Sequence, residues 1–208
     1  MKWPAGTPAR AQLRQKLLAA RRAEPVEQVA AWSERLVGHL LRVFPQPPGE
    51  RIACCWPIQN EPDVRAAAAI WRAQGATTLL PVVLARHAPL VFRPWTPETP
   101  LAPDRYGIPT PTGGPEIIPD VIIMALNAFD AAGYRLGYGG GFFDRTLAVL
   151  QPRPLVLGVG FEMGRVASIQ PEAHDQPVDW VFTEQGGQKT EDRGQRTEDS
   201  RVSGATRC

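Results

Sequence analysis

The sequence has little that would support redox, zinc or membrane chemistry. Its three cysteines, Cys54, Cys55 and Cys208, form no CxxC pair, and three scattered histidines argue against a zinc site. No run approaches the roughly 20 apolar residues of a membrane-spanning helix. The first ten residues also lack the apolar stretch of a signal peptide. We therefore expect a cytoplasmic protein with reduced cysteines and no membrane contact.

An excess of one charge is also missing, because 23 basic residues face 21 acidic ones. A net charge of +2 gives no general reason to expect a nucleic-acid partner. From Gly186 onward the chain loses its aromatic and nearly all its aliphatic residues, and QKTEDRG is echoed by QRTEDSR. Such a segment cannot bury enough apolar surface to fold. We expect one domain over residues 1–185 and a polar, disordered tail over 186–208.

Hydrophobic periodicity indicates alternating helices and strands. Helices are predicted over 9–23, from 25 to about 41, over 62–74 and over 142–150, and strands over 52–56, 77–83, 121–126, 155–161 and 180–183. An extended segment at 90–95 could pair with the strand before it. This order predicts an α/β fold, a single three-layer α/β/α sandwich with a mostly parallel sheet. Ligands bind such sheets beyond the carboxyl ends of the strands, where loops 57–61, 127–141 and 162–179 emerge.

The most distinctive segment is GYRLGYGGGFFDR at 133–145. Its five glycines suit positive φ angles or a close backbone approach, and successive amides before a helix can bind an anion such as phosphate. It is neither a Walker A motif nor a dinucleotide fingerprint. Arg135 could neutralise phosphate or form a structural salt bridge. Asp144 could bind Mg²⁺, or be a first-turn acid that favours the helix dipole.

A second candidate feature is a basic stripe on the first helix. At about 100° per residue, Arg10, Arg14, Leu17 and Arg21 fall on one face. The stripe is either a solvated surface or a basic edge that reaches an anionic ligand.

The remaining candidates lie near the ends of predicted strands. Glu61 could accept paired N–H donors from a heterocycle, or could be an acid at the start of the next helix. Trp56, Trp95 and Tyr106 could stack on a flat ring, or belong to the core. No set of serine, cysteine and histidine is spaced for a nucleophile, because Cys54 and Cys55 lie in an apolar strand.

These segments together resemble one family. The matching stretches include Arg10-x-x-Leu13-Arg14, the loop from Trp56 to Glu61, YGIPTP from Tyr106, RLGYGGGFFDR from Arg135 and HDQPVDWVFTE from His174. They resemble the 5-formyltetrahydrofolate cyclo-ligases, also called methenyltetrahydrofolate synthetases, over about 175 residues. The resemblance implies ATP- and Mg²⁺-dependent cyclisation of 5-formyltetrahydrofolate to 5,10-methenyltetrahydrofolate, with release of ADP and phosphate.

The resemblance also implies residue roles. Catalytic roles fall to Arg135 and Asp144, and the ATP-binding residues would be Arg10, Arg14, Arg135, Leu136, Gly137, Tyr138, Gly139, Gly140, Gly141, Phe142 and Phe143. The reduced folate would contact Trp56, Glu61, Tyr106, Tyr138, Gly139, Gly140, Gly141 and Phe142. Mg²⁺ would be held by Asp144, with Asp175 or Asp179 as a further ligand. The expected partners are small molecules only, without nucleic acid or membrane, and the chain is expected to be a monomer.

Several positions depart from the pattern of the family. Arg10 stands where many members carry lysine, Ala125 replaces a usual proline, and Asn127 replaces an apolar residue. The pair Phe142-Phe143 lacks a tyrosine hydroxyl that is often found there. Two other functions stay open: a non-catalytic regulator that binds folate or nucleotide, and an RNA-associated module that uses the basic helix.

Overall fold

The computed structural model describes residues 8–190. Four helices are described, α1 (Pro8–Ala23), α2 (Val26–Val43), α3 (Arg65–Ala73) and α4 (Phe142–Val149). The strands are β1 (Arg51–Cys54), β2 (Thr77–Val82), β3 (Val91–Pro94), β4 (Leu101–Pro103), β5 (Pro109–Pro111), β6 (Val121–Ala125), β7 (Ala128–Phe129), β8 (Arg135–Leu136), β9 (Leu155–Val159), β10 (Trp180–Thr183) and β11 (Gly186–Lys189). No helix within the described range has the length and apolar character needed to cross a membrane.

The central sheet has seven strands in the order β11-β10-β9-β6-β1-β2-β3. The five inner strands pair in parallel, and both edge strands pair antiparallel. The chain moves from β1 outward to β2 and later returns to β6 on the other side of β1, so the direction of winding reverses between β1 and β6. Ligand sites in open α/β sheets form at such a reversal, beyond the carboxyl ends of the strands.

The sheet is covered on both faces, which confirms the predicted α/β fold. Helices α2 and α3 cover one face, where Leu36, Leu40 and Trp71 are fully buried. Helix α4 covers the other face, where Leu147 packs in a cluster with Phe129. The buried strands are rich in Val, Ile and Leu because both of their faces are covered.

Helix α1 lies apart from these layers, at the carboxyl edge of the sheet. Its Leu13 and Leu17 pack on a small cluster that contains Leu136 and Tyr134 from the β7–β8 hairpin region. The same helix face that carries the arginine stripe therefore turns toward the predicted ligand-binding edge.

The structure differs from the sequence-based prediction in its smallest elements. The hairpins β4–β5 and β7–β8 were not predicted, since strands of two or three residues carry no measurable alternation. Helix α3 begins at Arg65 rather than at residue 62, because the Asp63 carboxylate accepts the Arg65 N–H at 3.0 Å and sets the first turn.

The predicted boundary of the polar tail was wrong by several residues. Gly186–Lys189 forms β11 and pairs with β10, although it was assigned to a disordered tail that starts at Gly186. An edge strand needs only backbone hydrogen bonds on one side, so a polar segment can supply it. The rest of that prediction, residues 191–208, lies outside the described residues.

Candidate active site

The three loops that follow the inner strands meet at the carboxyl edge of the sheet, as the sequence predicted. Loop 55–64 follows β1, the segment 126–141 follows β6, and the segment 160–179 follows β9. Helix α1 contacts all three through its arginines: Arg10 bonds to Asp175, Arg14 to Gly137 and Arg21 to Gln59. The site is therefore built from side chains that are far apart in the sequence.

Arg10 joins α1 to the loop after β9. Its guanidinium donates two hydrogen bonds to Asp175, at 2.7 and 3.2 Å, and a third to the Gln170 carbonyl at 3.2 Å. Burial alone would raise the pKa of Asp175, but these bonds and the Glu172 N–H hold that pKa below its ordinary value. Arg10 is thus tied to protein groups, and an ATP-binding role would require it to exchange or share them.

Arg14 is the arginine that stands beside the glycine turn. Its Nε donates to the Gly137 carbonyl at 2.7 Å, and its guanidinium carbon lies 3.5 Å from where a Cβ on Gly139 would be. Burial and the neighbouring charge of Arg10 lower the pKa of Arg14. Within residues 8–190 no carboxylate lies within ion-pair distance of Arg14. This half-buried cation therefore favours an anionic ligand at the turn.

The turn itself, residues 137–141, is open to solvent: Tyr138, Gly139 and Gly140 are exposed. It ends at Gly141, which precedes α4 with a left-handed backbone of φ 63°. A Cβ on Gly141 would lie 2.9 Å from the Arg145 guanidinium, so both the backbone angle and the space require glycine. An exposed turn at a helix N-terminus is a suitable place for phosphate.

Gly133, at the start of the motif, has a different purpose. Gly133 has a φ of 80° and packs against the chain just before β10, where a Cβ would lie 2.6 Å from the Val178 carbonyl oxygen. This glycine allows two pieces of backbone to pack, and it faces protein rather than a ligand.

Arg135 and Asp144 form a pair with each other. Arg135 donates to Asp144 at 2.9 Å and to the Gln176 carbonyl, and the Gln176 N–H donates to the same Asp144 oxygen at 3.2 Å. Arg135 is buried and Asp144 lies in the first turn of α4. Arg135 thus forms the structural salt bridge that was its alternative role, and Asp144 is the first-turn acid that was its alternative role. Both residues lie within the candidate site.

Arg145, the last residue of the motif, was not named as a site residue from the sequence. It is buried, donates to the Gly140 carbonyl at 2.7 Å, and lies 4.9 Å from the centre of the Phe142 ring. Its side chain therefore stabilises the glycine turn through the Gly140 carbonyl. The position of an arginine one turn into the helix was the only signal for this role.

Glu61 is buried beside the glycine turn. It accepts the Ile58 N–H at 3.0 Å and the Tyr138 hydroxyl at 2.8 Å, and the Arg21 guanidinium lies 3.8 Å away. Burial raises the pKa of Glu61, and these three partners oppose the rise. Glu61 precedes α3 by four residues, so it is not a first-turn acid of that helix, and its carboxylate contacts the glycine turn instead.

The candidate stacking residues do not converge. Trp56 is half-buried on the α3 side, where Arg65 lies 4.7 Å from its ring and the buried Trp95 lies 6.0 Å away. Tyr106 is 52% exposed on the α4 side, 5.9 Å from Phe142. The Tyr106 ring is thus open to solvent, whereas Trp95 is a core residue.

Three residues of the predicted ATP-binding segment are largely structural. The Leu136 side chain is fully buried in the cluster under α1. Phe142 and Phe143 are partly buried against the cluster beneath α4. Only the backbone of Leu136 and the exposed parts of the two rings can face a ligand.

The structure does not bring together the three proposed metal ligands. Asp175 is held by Arg10, and Asp179 lies just before β10, at the amino edge of the sheet. There Asp179 accepts two hydrogen bonds from Arg153 at 2.9 Å and the Val156 N–H at 2.7 Å. The structure therefore places Asp179 at the edge of the sheet opposite to the candidate site, which argues against its assignment as a metal ligand. Among residues 8–190 no group of three or more His, Cys, Asp or Glu side chains could hold a metal.

A groove of about 540 Å³ lies between α2 and the loop after β1. Val29, Ser33 and Val37 form its α2 wall, and Pro57 and Glu61 form the other. Its volume falls within the range of small-molecule sites. Glu61 thus stands between this groove and Tyr138 of the glycine turn.

An open α/β sheet with an exposed glycine turn and flanking arginines at its reversal point is an arrangement in which α/β proteins commonly bind phosphate-bearing ligands. The family model described as the 5-formyltetrahydrofolate cyclo-ligase family matches residues 6–184. The chain therefore belongs to that family.

Individual relatives agree with this assignment. A 5-formyltetrahydrofolate cyclo-ligase from Mycolicibacterium smegmatis is 31% identical over 192 residues, covering 86% of this chain and 95% of the relative. One from Haemophilus influenzae is 28% identical over 180 residues, covering 83% and 96%. The structure of Aquifex aeolicus 5,10-methenyltetrahydrofolate synthetase is similar at a TM-score of 0.76 and 25% identity, covering 93% of this chain and 99% of that one.

Proposed function

We propose that this cyclo-ligase converts 5-formyltetrahydrofolate to 5,10-methenyltetrahydrofolate in an ATP-dependent reaction that releases ADP and phosphate. Family membership and the named relatives support the enzyme class. The single observation that supports the division of the site is the Tyr138 hydroxyl, which joins the exposed glycine turn to the buried Glu61 at 2.8 Å. A phosphate-binding turn and an acceptor for a heterocycle are therefore neighbours.

The glycine turn would bind the triphosphate. Gly139 and Gly140 are exposed and Gly141 is half-buried just before α4, and the dipole of that helix favours negative charge. Arg14 stands beside Gly139 without a carboxylate partner in the described structure. Arg135, held through Asp144, would place a second guanidinium near the phosphates.

Glu61 would hold the reduced folate. A pterin ring presents adjacent N–H groups, and a carboxylate can accept two of them side by side. Tyr106 offers an exposed ring at the outer end of the site for stacking.

The chemistry requires positioning more than a protein nucleophile. The formyl oxygen would attack the γ-phosphorus and release ADP, after which N10 would attack the imidate-like carbon and expel phosphate. The nearby thiols take no part, because burial raises the pKa of Cys54 to about 12 and also raises that of Cys55. Arginine and backbone amides supply the charge stabilisation.

Mg²⁺ is proposed as the cofactor, with Asp144 as its protein ligand. Among the described residues, both hydrogen bonds to Asp144 go to the same carboxylate oxygen, and magnesium is commonly held by one or two carboxylates with phosphates and water. The residues fit such a site, but not one enclosed entirely by protein ligands. The ion would neutralise charge on the transferred phosphoryl group. We further propose that the chain acts as a cytoplasmic monomer on small molecules, without nucleic acid.

The test is an absorbance assay. Purified protein supplied with 5-formyltetrahydrofolate, ATP and Mg²⁺ should generate the near-ultraviolet absorbance of the methenyl product, with one ADP released per product. Reactions without ATP provide the control. Binding of both ligands without ADP release would instead identify a non-catalytic regulator, and no change at micromolar protein would refute the enzyme.

A further inference from the structure

Arg21 is a buried cation at the centre of a hydrogen-bond network that joins three segments. Only 4% of the residue is exposed. It donates to the Asn127 side-chain oxygen at 2.6 Å, the Tyr138 hydroxyl at 2.6 Å and the Gln59 carbonyl at 3.1 Å. The sequence placed Arg21 on the basic stripe of the first helix, and the resemblance gave it no role of its own.

Asn127 explains how Arg21 is held. The family resemblance marked Asn127 as a polar departure, and in the structure its side-chain oxygen accepts a hydrogen bond from Arg21 at 2.6 Å, as short as the one to Tyr138. A charged group can be buried only where it is paired and hydrogen-bonded. The asparagine therefore fixes the guanidinium in the orientation that faces Tyr138.

The Tyr138 hydroxyl connects Arg21 to Glu61. It accepts a hydrogen bond from Arg21 and donates one to Glu61 at 2.8 Å. The Tyr138 backbone belongs to the glycine turn, whose neighbours Gly137 and Gly139 give it conformational freedom. Without the hydroxyl, the remaining link between the Tyr138 ring and Glu61 within residues 8–190 would run through the Arg21 guanidinium, which lies 6.0 Å from the centre of the ring and 3.8 Å from Glu61.

We propose that Arg21 and Tyr138 are positioning residues that tie the phosphate-binding turn to the folate acceptor Glu61, so that the two halves of the site are ordered together. The role in catalysis rests on the proposed function. The tie itself is a property of the protein without ligands, and it can be measured separately.

The first experiment uses hydrogen exchange of the ligand-free protein. In Tyr138→Phe, which keeps the ring and loses the hydroxyl, amides of residues 138–141 should exchange at least about threefold faster, because the turn loses one fixed contact. Arg21→Met should do the same, and Arg21→Lys should restore part of the protection. Unchanged exchange in Tyr138→Phe would overturn the proposal, even if Arg21→Met failed to fold.

The matched control is Arg22→Met. Arg22 is exposed, follows Arg21 on the same helix, and contacts the Gln59 side chain at 3.0 Å without reaching Tyr138 or Glu61. Its loss should leave exchange of the turn unchanged. Equal effects of Arg21→Met and Arg22→Met would show a general effect on the end of α1 and would contradict the proposal.

The second experiment measures kinetics. Removing a hydrogen-bonded charge should raise the KM for 5-formyltetrahydrofolate about tenfold in Arg21→Met, with kcat changed less than about threefold. Arg22→Met should keep both values. A wild-type protein without turnover would defeat the proposed function alone, while the exchange result would still decide whether the tie exists. Equal KM values for the wild type and a folded Arg21→Met would refute the positioning role.

Discussion

Replacing Asp144 with asparagine tests whether the Asp144–Arg135 pair acts in catalysis or is only a structural salt bridge. Asp179 provides a matched control. Asp144 and Asp179 each pair with an arginine at 2.9 Å and each accept one backbone N–H. They lie at opposite edges of the sheet. Asn at either position keeps the shape of the side chain and removes its charge.

Both substitutions should lower the free energy of unfolding, because each removes one charge of an ion pair. The Asp144 and Arg135 side chains are 18% and 6% exposed, so losing this charge should cost about 2 kcal/mol. The Asp179 and Arg153 side chains are 30% and 38% exposed, which should reduce the cost to about 1 kcal/mol. For a domain of this size, 1 kcal/mol lowers Tm by about 2–4 °C.

The catalytic cost should differ sharply. Asp144→Asn should slow cyclisation at least about tenfold, a change of about 1.4 kcal/mol in the barrier, whereas Asp179→Asn should keep the wild-type rate. Both rates are measured by product absorbance at 25 °C, after circular dichroism confirms that each variant is folded. An Asp179→Asn variant as slow as Asp144→Asn, or a fully active Asp144→Asn, would refute the placement of the site.

Three further predictions follow from local geometry. Gly133→Ala should lower the free energy of unfolding by about 3 kcal/mol or more in thermal unfolding, since φ is 80° and the new Cβ would lie 2.6 Å from the Val178 oxygen. Gly137→Ala should cost under about 0.5 kcal/mol because a Cβ there would meet open space, and similar costs for the two variants would contradict the close packing of Gly133 against Val178. The pKa of Asp175 is lower in the folded protein, so its stabilising contribution is present above the unfolded pKa of about 3.9 and is lost as pH falls through the lower folded value. Asp175→Asn should therefore reduce the pH dependence of urea unfolding below about pH 4, and an unaltered dependence would speak against the pair with Arg10. Tyr106→Ala should raise the KM for the folate several-fold with Tm within about 1 °C, because the ring is 52% exposed, and an unchanged KM would remove Tyr106 from the site.

The layered α/β architecture could be predicted from the sequence because its buried strands are continuous apolar runs and its helices have a clear apolar face. The arginine stripe could also be seen, since Arg10, Arg14 and Arg21 follow helical spacing. Which of them contacts which loop could not be seen. Those partners lie over 100 residues away, except for Gln59 and Glu61 beside Arg21, and only the folded chain brings them together.

The errors have physical causes as well. Asp179 was grouped with the site because it belongs to a motif that resembles the family, yet it precedes β10. A residue before a parallel strand lies at the amino edge, so the sequence order already argued against a role at the carboxyl edge. The strand β11 was missed because edge pairing depends on backbone groups, which a polar sequence such as Gly186–Lys189 does not reveal.

The central claim is tested most directly by a crystal structure with a non-hydrolysable ATP analogue and 5-formyltetrahydrofolate bound together. The account predicts that the phosphates contact the amides of residues 139–141 and Arg14, while the pterin N–H groups contact Glu61. Phosphates bound elsewhere, with the glycine turn free of ligand, would contradict it.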